Sequence, residues 1–170
     1  MEGFQRQRVG SVTELQRVHG EALRGLIGRR LDAVWVAWEE GGEAWLPDAP
    51  VVLEFDDRRL ELDCFGVGTT SVTWETLDLH ARPDVYGILG RWRANALPTF
   101  MAVAGKVLRD VGWLEYRFDR TLVGEHGNAW LFTGLEFVFD RGFLSVHNGL
   151  DENAFGTEPL VGQEFRRGRV

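Results

Sequence analysis

The side chains best able to do chemistry here are four histidines, one cysteine and two groups of carboxylates. Histidine is the natural proton carrier near neutral pH. Of His19, His80, His126 and His147, none has a second His or a Cys at metal-ligand spacing, and no His-Glu-x-x-His occurs, so no metal site is expected. His147 closes the run Leu144-Ser145-Val146-His147 and is predicted opposite Glu136 on the outer face of a hairpin. That pair has the chemistry of a base and its orienter, and also of a plain cross-strand contact. The next residues, Asn148-Gly149-Leu150-Asp151-Glu152-Asn153, gather two amides and two acids. Asn-Gly suits a left-handed turn, and a turn held on a rigid scaffold is a common place for function. An enzymatic or ligand-binding reading would therefore use His147, Glu136, Asp151 and Glu152. Cys64 alone cannot form an intrachain disulfide, and its predicted inward position suggests an inert thiol. Gly66-Val67-Gly68-Thr69-Thr70 lacks the lysine of a phosphate loop and reads as a strand-linking turn, so no cofactor is expected.

The second group of carboxylates lies on a predicted hairpin. Val51, Leu53 and Phe55 alternate with polar positions, as do Leu60, Leu62 and Cys64. Pairing Phe55 with Leu60 puts Glu54 opposite Glu61 on the outer face, with Asp56 and Asp63 diagonal to them. Opposed like charges destabilise a sheet, which makes this face a solvated edge or a docking surface for a basic protein, with cation binding the least favoured reading because strand-borne carboxylates diverge.

These residues are positioned by an apparent repeat. Gly28-x-x-Leu31-x-x-Val34 matches Gly105-x-x-Leu108-x-x-Val111, and Phe55–Asp63 aligns with Phe139–His147. In the second copy the acids Glu54 and Glu61 become Val138 and Ser145. Ser11-Val12-Thr13-Glu14 is a capping box ahead of Leu15, Val18, Ala22 and Leu26, and Pro98 opens a second short helix, each ending at a glycine. Leu31–Trp38 and Val107–Phe118 follow as strands apolar on both faces, fit for the middle of the fold or a contact with a second chain, so a homo-oligomer is compatible with the sequence. Thr70–Leu77 adds a strand, and extra length of the second copy falls around Thr121–Asn128. The expected fold class is α+β, two α-β-β-β repeats with pseudo-twofold symmetry and mainly antiparallel sheet. The first repeat with its extra strand spans 1–78, a linker 79–96, the second repeat 97–153 and a C-terminal tail 154–170, all in one compact domain.

The chain has 170 residues with 44% hydrophobic types and twenty aromatics, enough for a self-sufficient core. Its net charge of −7 is uneven: residues 31–90 carry thirteen acids against three arginines. No basic stripe is present for nucleic acid, and Arg166-Arg167-Gly168-Arg169 reads as a solvated tail. The longest apolar run, Ala33–Trp38, is far short of the ~20 residues that span a bilayer, so no membrane partner is expected. The N-terminus lacks a charged-then-apolar leader, which points to the cytoplasm. Trp45, Trp92 and Trp130 fall in loops or the linker, where an exposed tryptophan would anchor an interface.

Leu26-Ile27-Gly28-Arg29-Arg30-Leu31, Ser71-Val72-Thr73-Trp74 and Leu144–Asn153 together resemble a family of small uncharacterised bacterial proteins, over most of the chain from about Leu23 to Asn153. The resemblance carries over no catalytic residues. It implies a small acidic cytosolic protein of the kind that often serves as the immunity partner of a secreted toxin. The expectation is therefore a non-enzymatic interaction module, with Glu54, Asp56, Glu61 and Asp63 docking a basic toxin. The alternative is a small-molecule-binding or hydrolytic domain using a cleft between the repeats.

Overall fold

Ser11 starts the first helix as its sequence pattern predicts. In the computed structural model, which describes residues 4–66, 69–122 and 125–170 (backbone only at 119–122 and 125–128), the Ser11 side chain accepts from the Glu14 N–H at 3.2 Å. Glu14 Oε2 in turn accepts from the Gly10 N–H at 2.9 Å, so exposed helix-start donors are satisfied locally. Before the helix runs β1 (Arg8–Val9); the helix itself, α1 (Val12–Arg24), buries Leu15, His19 and Leu23. Gly28, at φ +90°, ends the following turn, a conformation that costs glycine little.

Six strands then build most of the first sheet: β2 (Leu31–Glu39), β3 (Val51–Phe55), β4 (Arg58–Cys64), β5 (Thr70–Trp74), β6 (Asp84–Val85) and β7 (Ile88–Ala94). With β1 they form a seven-stranded sheet in the order β1-β5-β4-β3-β2-β7-β6. The short helix α2 (Pro98–Val103) follows, with proline in its first turn. It leads into β8 (Leu108–Leu122), β9 (Glu125–Phe139), β10 (Phe143–Asn148), β11 (Asn153–Gly156) and β12 (Phe165–Arg169), a five-stranded sheet in the order β11-β10-β9-β8-β12. Every described pairing is antiparallel, so the protein is α+β and predominantly antiparallel sheet.

The two sheets share one core. Leu53, Phe55, Leu60 and Leu62 from the first meet Phe137, Leu135, Leu144 and Val146 from the second, with Leu15, Leu23 and Phe100 from the helices, all buried. Alternation along the strands put these apolar side chains on one face, and their burial is the main driving force for joining the sheets.

Three expectations change. The segment 79–96 is not a free linker: it supplies β6 and β7, and β7 pairs with β2 from Trp35↔Ala94 to Glu39↔Gly90. Residues 154–170 are not a tail, because β12 pairs with β8 from Phe165↔Tyr116 to Arg169↔Gly112. Thr121, Leu122 and Glu125–Asn128 belong to the β8 and β9 strands rather than to a loop. The hairpin register also differs. Leu53 faces Leu60 and Phe55 faces Arg58, so only Asp56 and Asp57 form the turn, with Asp56 at φ +46°. Aspartate tolerates that left-handed backbone, which allows the tighter turn. A slip of two residues keeps each side chain on its face but changes its opposite number. Glu54 therefore faces Arg59, and Glu61 faces Val52.

Candidate functional site

The acids of the first hairpin are consumed within the fold. Glu61 and Asp63 are fully buried and Glu54 is half-buried, while the turn acids Asp56 and Asp57 are exposed. The expected exposed acidic face is thereby corrected at Glu61 and Asp63, because the turn after β5 and the N-terminal segment cover that side. Glu61 accepts from the Thr73 hydroxyl (2.7 Å), the Thr76 hydroxyl, and the N–H groups of Thr76 and Leu77 (both 2.7 Å). Four donors replace the water that a buried carboxylate loses. Asp63 accepts from Arg6 Nε at 2.5 Å, while its Oδ1 has no hydrogen-bond partner among the described residues. Burial pushes the Asp63 carboxyl up in pKa, and Arg6 pulls it back. Glu54 accepts from Trp35 Nε1 at 2.9 Å.

The second hairpin borders a cavity. Strands β8 and β9 each run for 15 residues, and their register shifts between Leu114 and Glu115, paired with Gly134 and Phe132. Thr133 is the extra residue of this bulge, which re-aims the side chains beyond it. Past the bulge Tyr116 pairs with Leu131, and β12 begins there with Phe165 against Tyr116. The Tyr116 and Phe165 rings lie 5.5 Å apart at 59°. On the other side β10 ends at Asn148 and turns into β11. Between these borders lies a cavity of about 540 Å³. Its apolar walls are Tyr116, Phe118, Leu131, Leu150, Leu160 and Phe165; Arg117, Thr133, His147, Asn148, Gly149 and Asp151 complete the lining.

Each polar group at this cavity has an identifiable local cause. His147 faces Gly134 rather than Glu136, and a Cβ on Gly134 would sit 2.2 Å from the Val146 carbonyl oxygen. Only glycine lets β10 approach so closely there. His147 Nδ1 is 3.2 Å from Ser145 Oγ, which leaves Nε2 as the nitrogen for an incoming group. Burial holds the imidazole below its ordinary pKa, hence neutral at pH 7. Asn148 is clamped, its amide donating to the Gly66 carbonyl (2.8 Å) and its Oδ1 accepting from the Asp151 N–H (2.9 Å). That clamp holds Leu150 and Asp151 at φ +71° and +73°, with Leu150 almost wholly exposed. Two consecutive non-glycine residues in this region mark a strained turn at the cavity mouth.

Of the four residues assigned to the enzymatic reading, His147 and Asp151 reach the cavity. Glu136 does not: it faces Ser145, and Arg167 Nε lies 2.8 Å from both its oxygens. Burial raises the Glu136 pKa, with Arg167 opposing. Glu152 is exposed outside the lining. The expected His147–Glu136 pair is thus replaced by separate partners, a consequence of the same two-residue slip in the hairpin register. Sequence reasoning missed Tyr116, Phe118, Leu131, Leu160 and Phe165. The first two stand in a stretch read as interior strand, and the last two in the segment read as tail.

Elsewhere, burial pushes the Cys64 thiol up to about 12, fitting an unreactive group. Val67 and Gly68 of the glycine-containing turn lie outside the described residues, as does the side chain of His126. Trp45, Trp92 and Trp130 are half-buried rather than exposed, and Arg166 covers the Trp130 ring at 3.8 Å. Among the described residues no three His, Cys, Asp or Glu side chains converge as metal ligands would, and no helix is long and apolar enough to cross a membrane. The chain matches no family model, and no curated protein or solved structure is significantly similar to it.

Proposed function

We propose that the protein binds a small amphipathic molecule in the cavity between the β8–β9 ribbon, β12 and the β10–β11 turn. The observation that carries this reading is a 540 Å³ space with aromatic and aliphatic walls and a few polar groups at one side, the usual make-up of a small-molecule site. Docking of a basic protein on Glu54, Asp56, Glu61 and Asp63 is less well supported, since two of those four carboxylates have no accessible surface. Hydrolysis is likewise less well supported than binding. Ser145 is fully buried and Glu136 is committed to Arg167, so the hydroxyl and the carboxylate nearest His147 on its own hairpin are not free to form a nucleophile–base–orienter set with it.

The test uses Nile red, an uncharged apolar fluorophore. Wild-type protein is expected to bind it saturably at one site, and Leu131→Trp, which fills the space from a half-buried wall, to weaken binding at least about tenfold with an unchanged circular dichroism spectrum. Equal binding by the variant, or none by the wild type, would overturn the reading.

We further infer that the two sheets descend from one duplicated α-β-β-β unit, and that the cavity arose by lengthening the second copy. Reciprocal bonds support this. Gly28 N–H donates to the Leu108 carbonyl (2.8 Å) as Gly105 N–H does to that of Leu31 (2.7 Å). Leu31 N–H donates to Lys106 as Leu108 N–H does to Arg29, both at 2.9 Å. Irregularities fall at matching places, between Leu31 and Ala33 and between Leu108 and Asp110. Gly28 and Gly105 both have positive φ with open space where a Cβ would go. Gly28→Ala and Gly105→Ala should therefore cost the same, about 1 kcal/mol, in urea denaturation; clearly unequal costs would count against equivalence.

A further inference from the structure

The cavity combines apolar walls with two charged side chains, Arg117 and Asp151, of which Asp151 has no ion-pair partner among the described residues. Asp151 forms no ion pair among the described residues, and its only described bond is the one its backbone N–H donates to Asn148. Among the described residues, Arg117 of the lining and the arginines of β12 have partners inside the chain. Arg167 holds Glu136, Arg169 holds Asp110 at 2.9 Å, Arg166 lies on Trp130, and Arg117 already interacts within the chain. His147 adds no positive charge at pH 7, for the reason given above. A negative group thus shares the lining with aromatic rings, whose electron-rich faces also favour cations, on a chain of net charge −7 that draws cations toward it.

From this juxtaposition of Asp151 with the Tyr116, Phe118 and Phe165 rings we propose that the ligand is an organic cation, an ammonium group on an apolar or aromatic body. The inference rests on the binding reading above and names the chemical class of its ligand. The ammonium lies against Asp151 at the mouth, the His147 ring nitrogen remote from Ser145 is within the same lining to accept a second N–H, and the apolar body fills the space toward Leu131. A carboxylate ligand would face Asp151 with like charge, and Arg117, the described cation of the lining, already interacts within the chain.

Three molecules that differ only in their head group test this: 4-phenylbutylamine, 4-phenylbutanol and 4-phenylbutanoate, titrated into the full chain at pH 7 and followed by NMR. The amine is expected to bind about tenfold more tightly than the alcohol and the carboxylate most weakly, the margin of one charge-assisted hydrogen bond that is partly exposed. Asp151→Asn should bring the amine down to the alcohol while leaving the alcohol unchanged. Equal binding of all three, or preference for the carboxylate, would overturn the cation inference and leave the cavity reading standing. Binding of none of them, together with failure of Nile red to bind, would overturn both.

Discussion

The β3–β4 and β9–β10 hairpins have the same register, and each buries an acid held by an arginine, yet the second also borders the cavity. Leu53 faces Leu60 as Phe137 faces Leu144, and the strands that follow, β5 and β11, lie on the same side in each sheet. In the first hairpin Glu61 and Asp63 are buried on the outer face, four donors surrounding Glu61 and Arg6 holding one oxygen of Asp63. In the second, Ser145 stands where Glu61 stands in the first, β8 and β9 are extended past a bulge, and the space beyond stays open. Polar residues on a half-buried face can thus serve stability or a site, and what covers the face decides which.

The largest expected effect breaks that contrast at its most buried point. Glu61→Ala removes the acceptor of four hydrogen bonds and strands the donors of Thr73, Thr76 and Leu77. At about 1–3 kcal/mol for each buried donor left without a partner, a loss of about 3–5 kcal/mol is expected after partial relaxation. Ser145→Ala, at the matching position, gives up a single bond to His147 and should cost about 1 kcal/mol. Urea denaturation of both variants reads the difference directly. Similar costs would mean that the two faces are not used differently.

Next in size is the ion pair that ties the N-terminal segment to the first hairpin. Arg6→Ala leaves Asp63 buried without its cation, and a cost of about 2 kcal/mol is expected, reduced from the value for a sealed pair because Arg6 is 41% exposed. Asp63→Asn added to Arg6→Ala should recover more than half of that loss, since a neutral amide needs no counter-ion. A double variant no more stable than Arg6→Ala would show that Arg6 acts through its packing on the Phe65 ring at 4.4 Å instead. In the second hairpin Arg167 and Glu136 form the corresponding test, with β12 in place of the N-terminal segment.

Much of this fold could be read from local pattern, because period and capping are short-range signals. Ser11 and Glu14, Pro98, Gly28 and Gly105, and the alternation through Leu53, Leu60, Leu135 and Leu144 all act within a few residues. Register could not be read the same way. It turned on whether Asp56 would accept a left-handed backbone, and apolar alternation is blind to a shift of two. The strands β7 and β12 were missed for a different reason. Ile88–Ala94 and Phe165–Arg169 are edge-proximal and arginine-rich, and their place comes from long-range pairing with β2 and β8. The cavity suffered most, since its walls come from 116–118, 131–133, 147–151 and 160–165, brought together by those unread pairings. His147 and Asp151 were visible only because their residue types and turn chemistry stand out locally.

The smallest effect concerns two histidines, the buried His19 in one half and the half-buried His147 in the other. His19 is 3% exposed, its Nδ1 accepts from Trp74 Nε1 at 3.2 Å, and its Nε2 has no hydrogen-bond partner among the described residues. Desolvation lowers its pKa, against a smaller opposing pull from Glu14, and burial lowers that of His147 as well. In the unfolded chain each takes up a proton near pH 6.5, while in the folded protein each stays neutral to lower pH. As pH falls below about 6.5 the unfolded state gains protons that the native state does not, so stability declines, by at most about 1.4 kcal/mol per pH unit for each histidine. Asp63 and Glu136, whose folded pKa values are raised, work in the other direction, because the folded carboxyls take up protons first as pH falls. His19→Gln separates the two influences: the amide oxygen can still accept from Trp74 but does not titrate. Between pH 7.5 and 5.5 its denaturation midpoint should fall less than that of the wild type. His147→Gln should flatten the remaining slope, and in the wild type a cationic ligand at Asp151 would leave the His19 contribution untouched while altering that of His147, so the pH dependence itself distinguishes the half that buries His19 from the half that borders the cavity.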